Sequence, residues 1–192
     1  MKQINKGETP AFFSDFVKKN KPRDWEDIAP IRPKLRQHIL AEQNGCCAYT
    51  EVRIVNDNCH IDHYRTRNLF SKLTFDYCNL MVATNAEGYG AKYKDKYIAK
   101  GDYDDLINPV EENPSDYLEF TYTGIVNAKN KCRKGEKTIE LFNLNERNLV
   151  NRRIARILQI NSFGKEFSVD EVIDFFKGEF ASMITQLYNE EL

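Results

Sequence analysis

The sequence predicts an α+β fold, with a strand–turn–strand–loop–helix unit in its middle, helices flanking it and a mainly helical C-terminal part. Three observations predict this. Residues Cys59 to His63 send successive side chains to opposite faces when read as a strand. Apolar residues recur at helical spacing near both ends of the chain, with start and stop signals around them. Turn-forming clusters such as Asn56-Asp57-Asn58 cut the middle into short segments. The expected division is 1–45 for N-terminal helices packed on the core, 46–128 for the mixed core with an extra hairpin, and 129–192 for a C-terminal helical region.

A chain of 192 residues suits one domain, or one domain with a helical appendage. A hydrophobic fraction of 41% beside 30% charged residues is ordinary for a soluble globular protein, and 12 Phe with 10 Tyr supply ample core material. The N-terminal residues lack the apolar run of a signal peptide, and no later stretch is long enough to span a bilayer. A cytoplasmic protein without membrane contact is expected. Five cysteines, with Cys46 and Cys47 adjacent, argue for reduced thiols over a disulfide framework.

The formal net charge of −1 hides an asymmetry. Basic residues exceed acidic ones over 63–100 and 129–156, whereas 166–192 is strongly acidic. A phosphate backbone would therefore be met by the middle of the chain and not by its C-terminal helix.

In order, Ala11 to Asn20 is predicted as a short amphipathic helix with Phe12, Phe13, Phe16 and Val17 at helical spacing. Pro10 starts it and Pro22 ends it. Trp25 anchors the following loop in the core. A second helix runs from Pro33 to about Asn44, carries His38 as a surface or capping residue, and stops at Gly45. Cys46 to Val55 is expected as a strand pair or hairpin, and Tyr77 as the start of a helix containing Asn79. Lys92, Lys94, Lys96 and Lys100 alternate with Tyr93 and Tyr97, which suits either a nucleic-acid contact or one solvated strand face. Residues 117–122 and 125–128 alternate around Thr123-Gly124, a hairpin signal. Helices are predicted over 136–144 and 146–160. Ser168-Val169-Asp170-Glu171 is a capping box that opens a final helix through Leu187.

The candidate site is Cys59-His60-Ile61-Asp62-His63-Tyr64-Arg65, with Asn79-Leu80 further on. Two of the three histidines of the chain lie here, flanking an aspartate. A carboxylate oxygen suits a hard divalent cation, and a neighbouring imidazole can take a proton from water near neutral pH. The alternative is a pair of ordinary strand histidines making structural hydrogen bonds.

Asp-His, a loop, then Asn-Leu resembles the HNH endonuclease signature of the ββα-metal fold. The flanks sharpen the resemblance. Leu35-Arg36, then Glu42 through Glu51, then His60 to Arg65, Tyr77-Cys78-Asn79-Leu80 and Thr138 to Asn145 are similar to the PtuB-type HNH proteins of Septu and certain retron anti-phage systems. The likeness covers about residues 30–160. It implies a ββα-metal core, with Asp62 as metal ligand, His63 activating water and Asn79 fixing the loop that carries His63. It also implies a divalent ion (Mg²⁺, or Mn²⁺), a nucleic-acid substrate with DNA favoured over RNA, and a PtuA-type ATPase partner.

The sequence departs from that pattern. The cysteine pair before the Asp-His strand reads Cys47-Ala48-Tyr49-Thr50, and the later pair falls near Thr84 and Tyr89, leaving one thiol of four. No structural zinc is expected. Where the family closes its metal site stand Gly88 or Gly90, so His60 and Asn85 are the candidates for further ligands, with Asp95 as an alternative. Arg65, Arg67, Lys92 and Lys94 are candidate contacts to the substrate backbone. Thr66 replaces the proline that follows the family's arginine. The expected function is a metal-dependent endonuclease; the alternative is a catalytically impaired, HNH-like binding or scaffold subunit.

Overall fold

The alternating stretch forms strand β1 (Cys59–His63), and its antiparallel partner is β2 (Leu80–Thr84), with Ile61 opposite Val82 and Asp62 opposite Met81. The computed structural model describes residues 1–163 and 167–190. Because side chains alternate along each strand, the hairpin presents one face to each of two apolar cores. Cys59, Ile61, Leu80 and Val82 pack with Phe13, Trp25, Ile28, Leu35 and Ile39 of the N-terminal segment. Met81 and Ala83 pack on the other side, in the larger core that also holds Tyr49, Tyr64, Phe142 and Leu149. A hairpin buried on both faces explains why β2 reads as an unbroken apolar run.

Helix α1 (Ala11–Asn20) and helix α2 (Arg32–Glu42) supply the first core. Gly45 closes α2 in the left-handed region at φ 73°, its N–H donating to Leu40 O at 2.8 Å. Gln43, at the end of α2, then reaches the outer edge of β2. Its side chain accepts from Val82 N and donates to Val82 O, each at 2.8 Å. Ala48 N adds a bond to Val82 O at 3.0 Å. The outer edge of β2 is thus satisfied, as an edge strand requires.

Helix α3 (Ala91–Tyr97) follows β2 and flanks the hairpin; Gly90 turns the chain into it at φ 74°. A second hairpin, β3 (Leu118–Phe120) with β4 (Val126–Ala128), packs against α4 (Arg133–Leu141). Helices α5 (Arg147–Ile160), α6 (Val169–Phe175) and α7 (Ala181–Glu190) complete the larger core. No helix among the described residues is long and apolar enough to cross a membrane.

Four expectations change. The 46–55 stretch is not a hairpin but a tight knuckle with a single bridge, Cys46 to Arg53, because Gly45 and Glu51 both adopt positive φ. Tyr77 opens one 3₁₀ turn ending at Asn79, not a helix; β2 begins at once because its whole run is buried on both faces. The lysine–tyrosine stretch is helical over Ala91–Tyr97 and not a strand. The last helix is broken between α6 and α7, where Lys177, Gly178 and Phe180 all have positive φ. Its N-terminal box forms as read, with Ser168 N donating to Glu171 Oε2 at 2.8 Å. Residues 166, 191 and 192 of the acidic stretch, and 164 and 165 before it, lie outside the described residues.

Glu51 locks the knuckle to both ends of the fold. Its buried carboxylate pairs with the Met1 ammonium at 2.8 Å and accepts from Ser182 N at 2.8 Å and from the Ser182 hydroxyl. Burial alone would raise its pKa, but the ammonium and the Ser182 donors outweigh burial and hold it below the ordinary 4.5. A carboxylate depressed in this way stabilises the fold above its unfolded pKa and loses that contribution as pH falls through the folded value. Glu51→Gln should lower unfolding free energy at neutral pH by about 3–5 kcal/mol. In urea titrations the deficit should shrink below about pH 4.5; a deficit that stays constant with pH would show that Glu51 is not held ionised.

Candidate active site

On β1 the strand pleat separates the two histidines of the motif. His60 and Asp62 face α3, and His63 faces the N-terminal segment. Asp62 is 4% exposed. Its Oδ2 accepts from the Tyr49 hydroxyl and from Lys94 Nζ at 3.2 Å, while Oδ1 has no hydrogen-bond partner among the described residues. Lys94, from α3, has no exposed surface and also donates to the backbone oxygens of His63 and Tyr64 at 3.1 and 2.9 Å. Its ammonium lies 3.2 Å from Asp95 Oδ1 as well. Burial opposes charge on Asp62, yet the Lys94 ammonium and the Tyr49 hydroxyl bring its pKa below the usual 3.8. Burial likewise opposes charge on Lys94, and the Asp62 carboxylate raises its pKa above the usual 10.5. Both shifts describe one charged pair. Asp95 is pushed up by burial and by the neighbouring Asp62 carboxylate.

His63 is held on its other side. Its Nε2 donates to Thr74 O at 3.0 Å, which fixes the tautomer and leaves the Nδ1 lone pair without a protein partner among the described residues. Trp25 stands edge-on to the ring at 4.4 Å between centroids. Burial lowers the His63 pKa from 6.5 to about 4, against the Thr74 bond and the Asp62 charge. The imidazole is therefore neutral, a proton acceptor, throughout the physiological range.

The Thr74 carbonyl sits on the loop over 64–79, and Asn79 ties that loop shut. Asn79 Oδ1 accepts from Arg65 N at 2.7 Å, and Nδ2 donates to Arg65 O at 3.0 Å and Leu73 O at 3.2 Å. A side-chain amide that bonds both ends of a loop spares those backbone groups from burial without partners. Asn79 positions the loop; it does not reach the cavity.

A cavity of about 320 Å³ is walled by His60, Ile61, Asp62, His63, Thr66, Arg67, Asn68, Leu69, Asp95 and Ile98. It touches residues from both faces of β1, so it lies along the free edge of that strand. His60 Nδ1 bonds Asn85 Oδ1 at 2.9 Å, which leaves Nε2 as the acceptor nitrogen. Asn85 does not line the cavity; it fixes the ring of His60 and takes no place beside Asp62.

The expected substrate contacts are scattered. Arg67 lines the cavity and stands 6.0 Å from the Trp25 ring. Arg65 is half-buried between Phe70 and Tyr103, 5.2 and 5.5 Å from their rings. Lys92 pairs with Glu87 at 2.8 Å on the outer surface, away from the cavity. Lys94 is not a surface cation at all, because Asp62 and two backbone oxygens draw it inside. Sequence reasoning missed Tyr49, the Thr74 carbonyl and the contact of Trp25 with His63. No pattern local to the motif reports them, since all three are tertiary contacts.

Among the described residues no three His, Cys, Asp or Glu side chains gather as a metal cluster. The donor chemistry nevertheless fits Mg²⁺, which takes one or two carboxylates and fills its remaining positions with water and phosphate oxygens. Among the described residues Asp62 Oδ1 accepts no hydrogen bond, and Asp95 and His60 line the same cavity.

A segment of 48 residues, 25% of this chain, is 46% identical to the Septu protein PtuB of Bacillus mycoides (strain KBAB4), and covers 16% of that protein's length. That segment is related to PtuB. No family model matches the chain.

The ring of His63 should titrate by NMR with a midpoint near 4, and fold stability should decline as pH falls from 6.5 towards that value, because the unfolded chain binds the proton first. A midpoint at 6.5 would mean that the ring is solvated. Lys94→Met should cost about 3–5 kcal/mol in chemical denaturation, since it strands a buried carboxylate, and Lys94→Met with Asp62→Asn should recover part of the loss.

Proposed function

We propose that this chain is a metal-dependent, HNH-type endonuclease that hydrolyses nucleic-acid phosphodiester bonds, acting as the nuclease subunit of an anti-phage defence system beside a PtuA-type ATPase. One observation carries the catalytic part. A neutral imidazole, His63, whose Nδ1 has no hydrogen-bond partner among the described residues, lines the same cavity as Asp62, a carboxylate held ionised from behind. Strand, loop, strand and helix follow in the order β1, 64–79, β2, α3, which is what a ββα-metal unit would need. The relationship of one segment to PtuB supports the defence role and the ATPase partner.

In this mechanism His63 Nδ1 takes the proton of a water in the cavity, and the Thr74 carbonyl keeps the ring turned towards that water. Asn79 keeps the Thr74 loop in place. Lys94 and Tyr49 hold Asp62 ionised, with Oδ1 presented for ligation. Asp62 Oδ1, with water and phosphate oxygens in the remaining positions, would hold a magnesium or manganese ion, which would supply neutralisation of the charge that develops on the scissile phosphate. Arg67 meets the substrate backbone at the cavity wall, a contact that carries little sequence readout. DNA is the favoured substrate. The acidic C-terminal helices would face the partner protein and not the polynucleotide.

A second function has a specific observation in its favour. The Lys94 ammonium already stands within 3.2 Å of both Asp62 and Asp95, so one of the two carboxylate charges is balanced without an added ion. On that footing the chain would be an HNH-like binding or scaffold subunit without catalysis. Purified protein, with and without the ATPase, should be incubated with plasmid DNA and RNA in Mg²⁺ or Mn²⁺. Cleavage that falls by about 10²–10⁴ in His63→Ala, and stops with a chelator, supports the nuclease. Retained binding with no cleavage under any condition supports the scaffold.

A further inference from the structure

Beyond the catalytic cavity the free edge of β1 continues into a second hollow of about 360 Å³, lined by Trp25, Ala29, Arg32, Pro33, Arg36, Cys59, His60 and Ile61. The two hollows share His60 and Ile61 and so meet at the strand edge. At the junction the backbone itself is open. Val82 sends its N–H and C=O outward to Gln43 and Ala48, so Val82 and Ile61 form a pair that exchanges no ladder bonds. The Ile61 N–H is consequently turned away from β2, towards the hollows. Beside it stand two guanidinium groups. Arg32 is held in place by Trp25 O at 2.7 Å and Glu26 at 3.0 Å, and stands 5.7 Å from the Trp25 ring. Among the described residues Arg36 has one loose pairing, with Asp57 at 3.9 Å, and Asp57 is itself largely exposed. Arg67 stands on the wall of the first hollow.

We infer that the edge of β1 is a track for a polynucleotide backbone, running from Arg67 past the catalytic side chains to Arg32 and Arg36, with Ile61 N–H as a backbone donor to an intervening phosphate. This rests on the nucleic-acid part of the proposed function and extends it. The ligand is a strand of several nucleotides and not a mononucleotide or small phosphodiester, because the cationic groups are spread over two adjoining hollows. Arg32 is preorganised by its bonds to the Trp25 loop, so it loses little side-chain freedom on meeting phosphate. Recognition is by backbone charge, with little dependence on base sequence.

The test is fluorescence anisotropy with an oligonucleotide of about a dozen nucleotides, read over a range of salt, using the full chain carrying His63→Ala so that nothing is cut. Arg32→Gln with Arg36→Gln should weaken binding at least tenfold and reduce the slope of log K against log salt by about 1–2, as expected for the loss of one or two phosphate contacts. Arg36→Lys should keep most of the slope, and Arg147→Gln, which removes one charge from the exposed start of α5 as Arg36→Gln does from α2, should leave affinity and slope nearly unchanged. Arg36→Gln alone decides the matter if the double variant disturbs the Trp25 loop. An unchanged slope, an equal loss in Arg147→Gln, or no binding by the parent protein overturns the inference. Hydrolysis of bis(p-nitrophenyl) phosphate by protein with His63 intact reports on the proposed catalysis separately. If that hydrolysis is present and the arginine variants bind normally, the track fails while the nuclease stands. If it is absent and the arginine dependence holds, the track stands without the nuclease.

Discussion

The ion pair between Lys94 and Asp62 is the constraint on which the rest of the site depends. Isolated in the interior, either charge would be costly enough to neutralise or to unfold the region. Together, with the Tyr49 hydroxyl and the oxygens of His63 and Tyr64, each is satisfied. The pair joins α3 to the end of β1 and to the knuckle that carries Tyr49, and so sets how the helix meets the hairpin. It also divides the duties of the Asp62 carboxylate. One oxygen belongs to the protein, and the other is left for whatever enters the cavity.

The same economy governs the two edges of the small sheet. A two-stranded hairpin has two outer edges, each a row of backbone groups in need of partners. On β2 the Gln43 amide and Ala48 fill that need. On β1 the edge opens into a cavity, and the loop over 64–79 arches beside it, closed by Asn79 and pressed on by Tyr103 through its hydroxyl bond to Thr66 N. Asp62, His63 and Arg67 line the cavity at this edge of the hairpin. Burial on both faces of the hairpin then makes the floor of that cavity stiff, since His63 is packed by Trp25 and Asp62 by Tyr49 and Lys94.

Helices α1, α2 and α5, strand β1 and the Ser168 box could be read from the sequence because each is marked by local chemistry: a proline or polar cap, a glycine stop, or a side-chain period. The strand identity of 80–84 could not. Leu80-Met81-Val82-Ala83 is apolar throughout, and a run buried on both faces carries no period to separate strand from helix. The break between α6 and α7 was hidden for a related reason, since the apolar stripe continues past Gly178 while the backbone does not.

What the sequence by itself determined was the kind of chemistry: a carboxylate next to an imidazole, two residues from a second imidazole, with an amide further on. Adjacent strand residues must point to opposite faces, so the parting of Asp62 from His63 was also fixed in advance. What only the tertiary structure decided was the state and company of those groups. Lys94 looked like a surface cation among lysines, and became the buried partner of Asp62 because α3 lies against the hairpin. Asn85 looked like a ligand, and became the support of His60. Burial, hydrogen-bond direction and the proton affinity of His63 arise from atoms distant in the chain, and no local pattern encodes them.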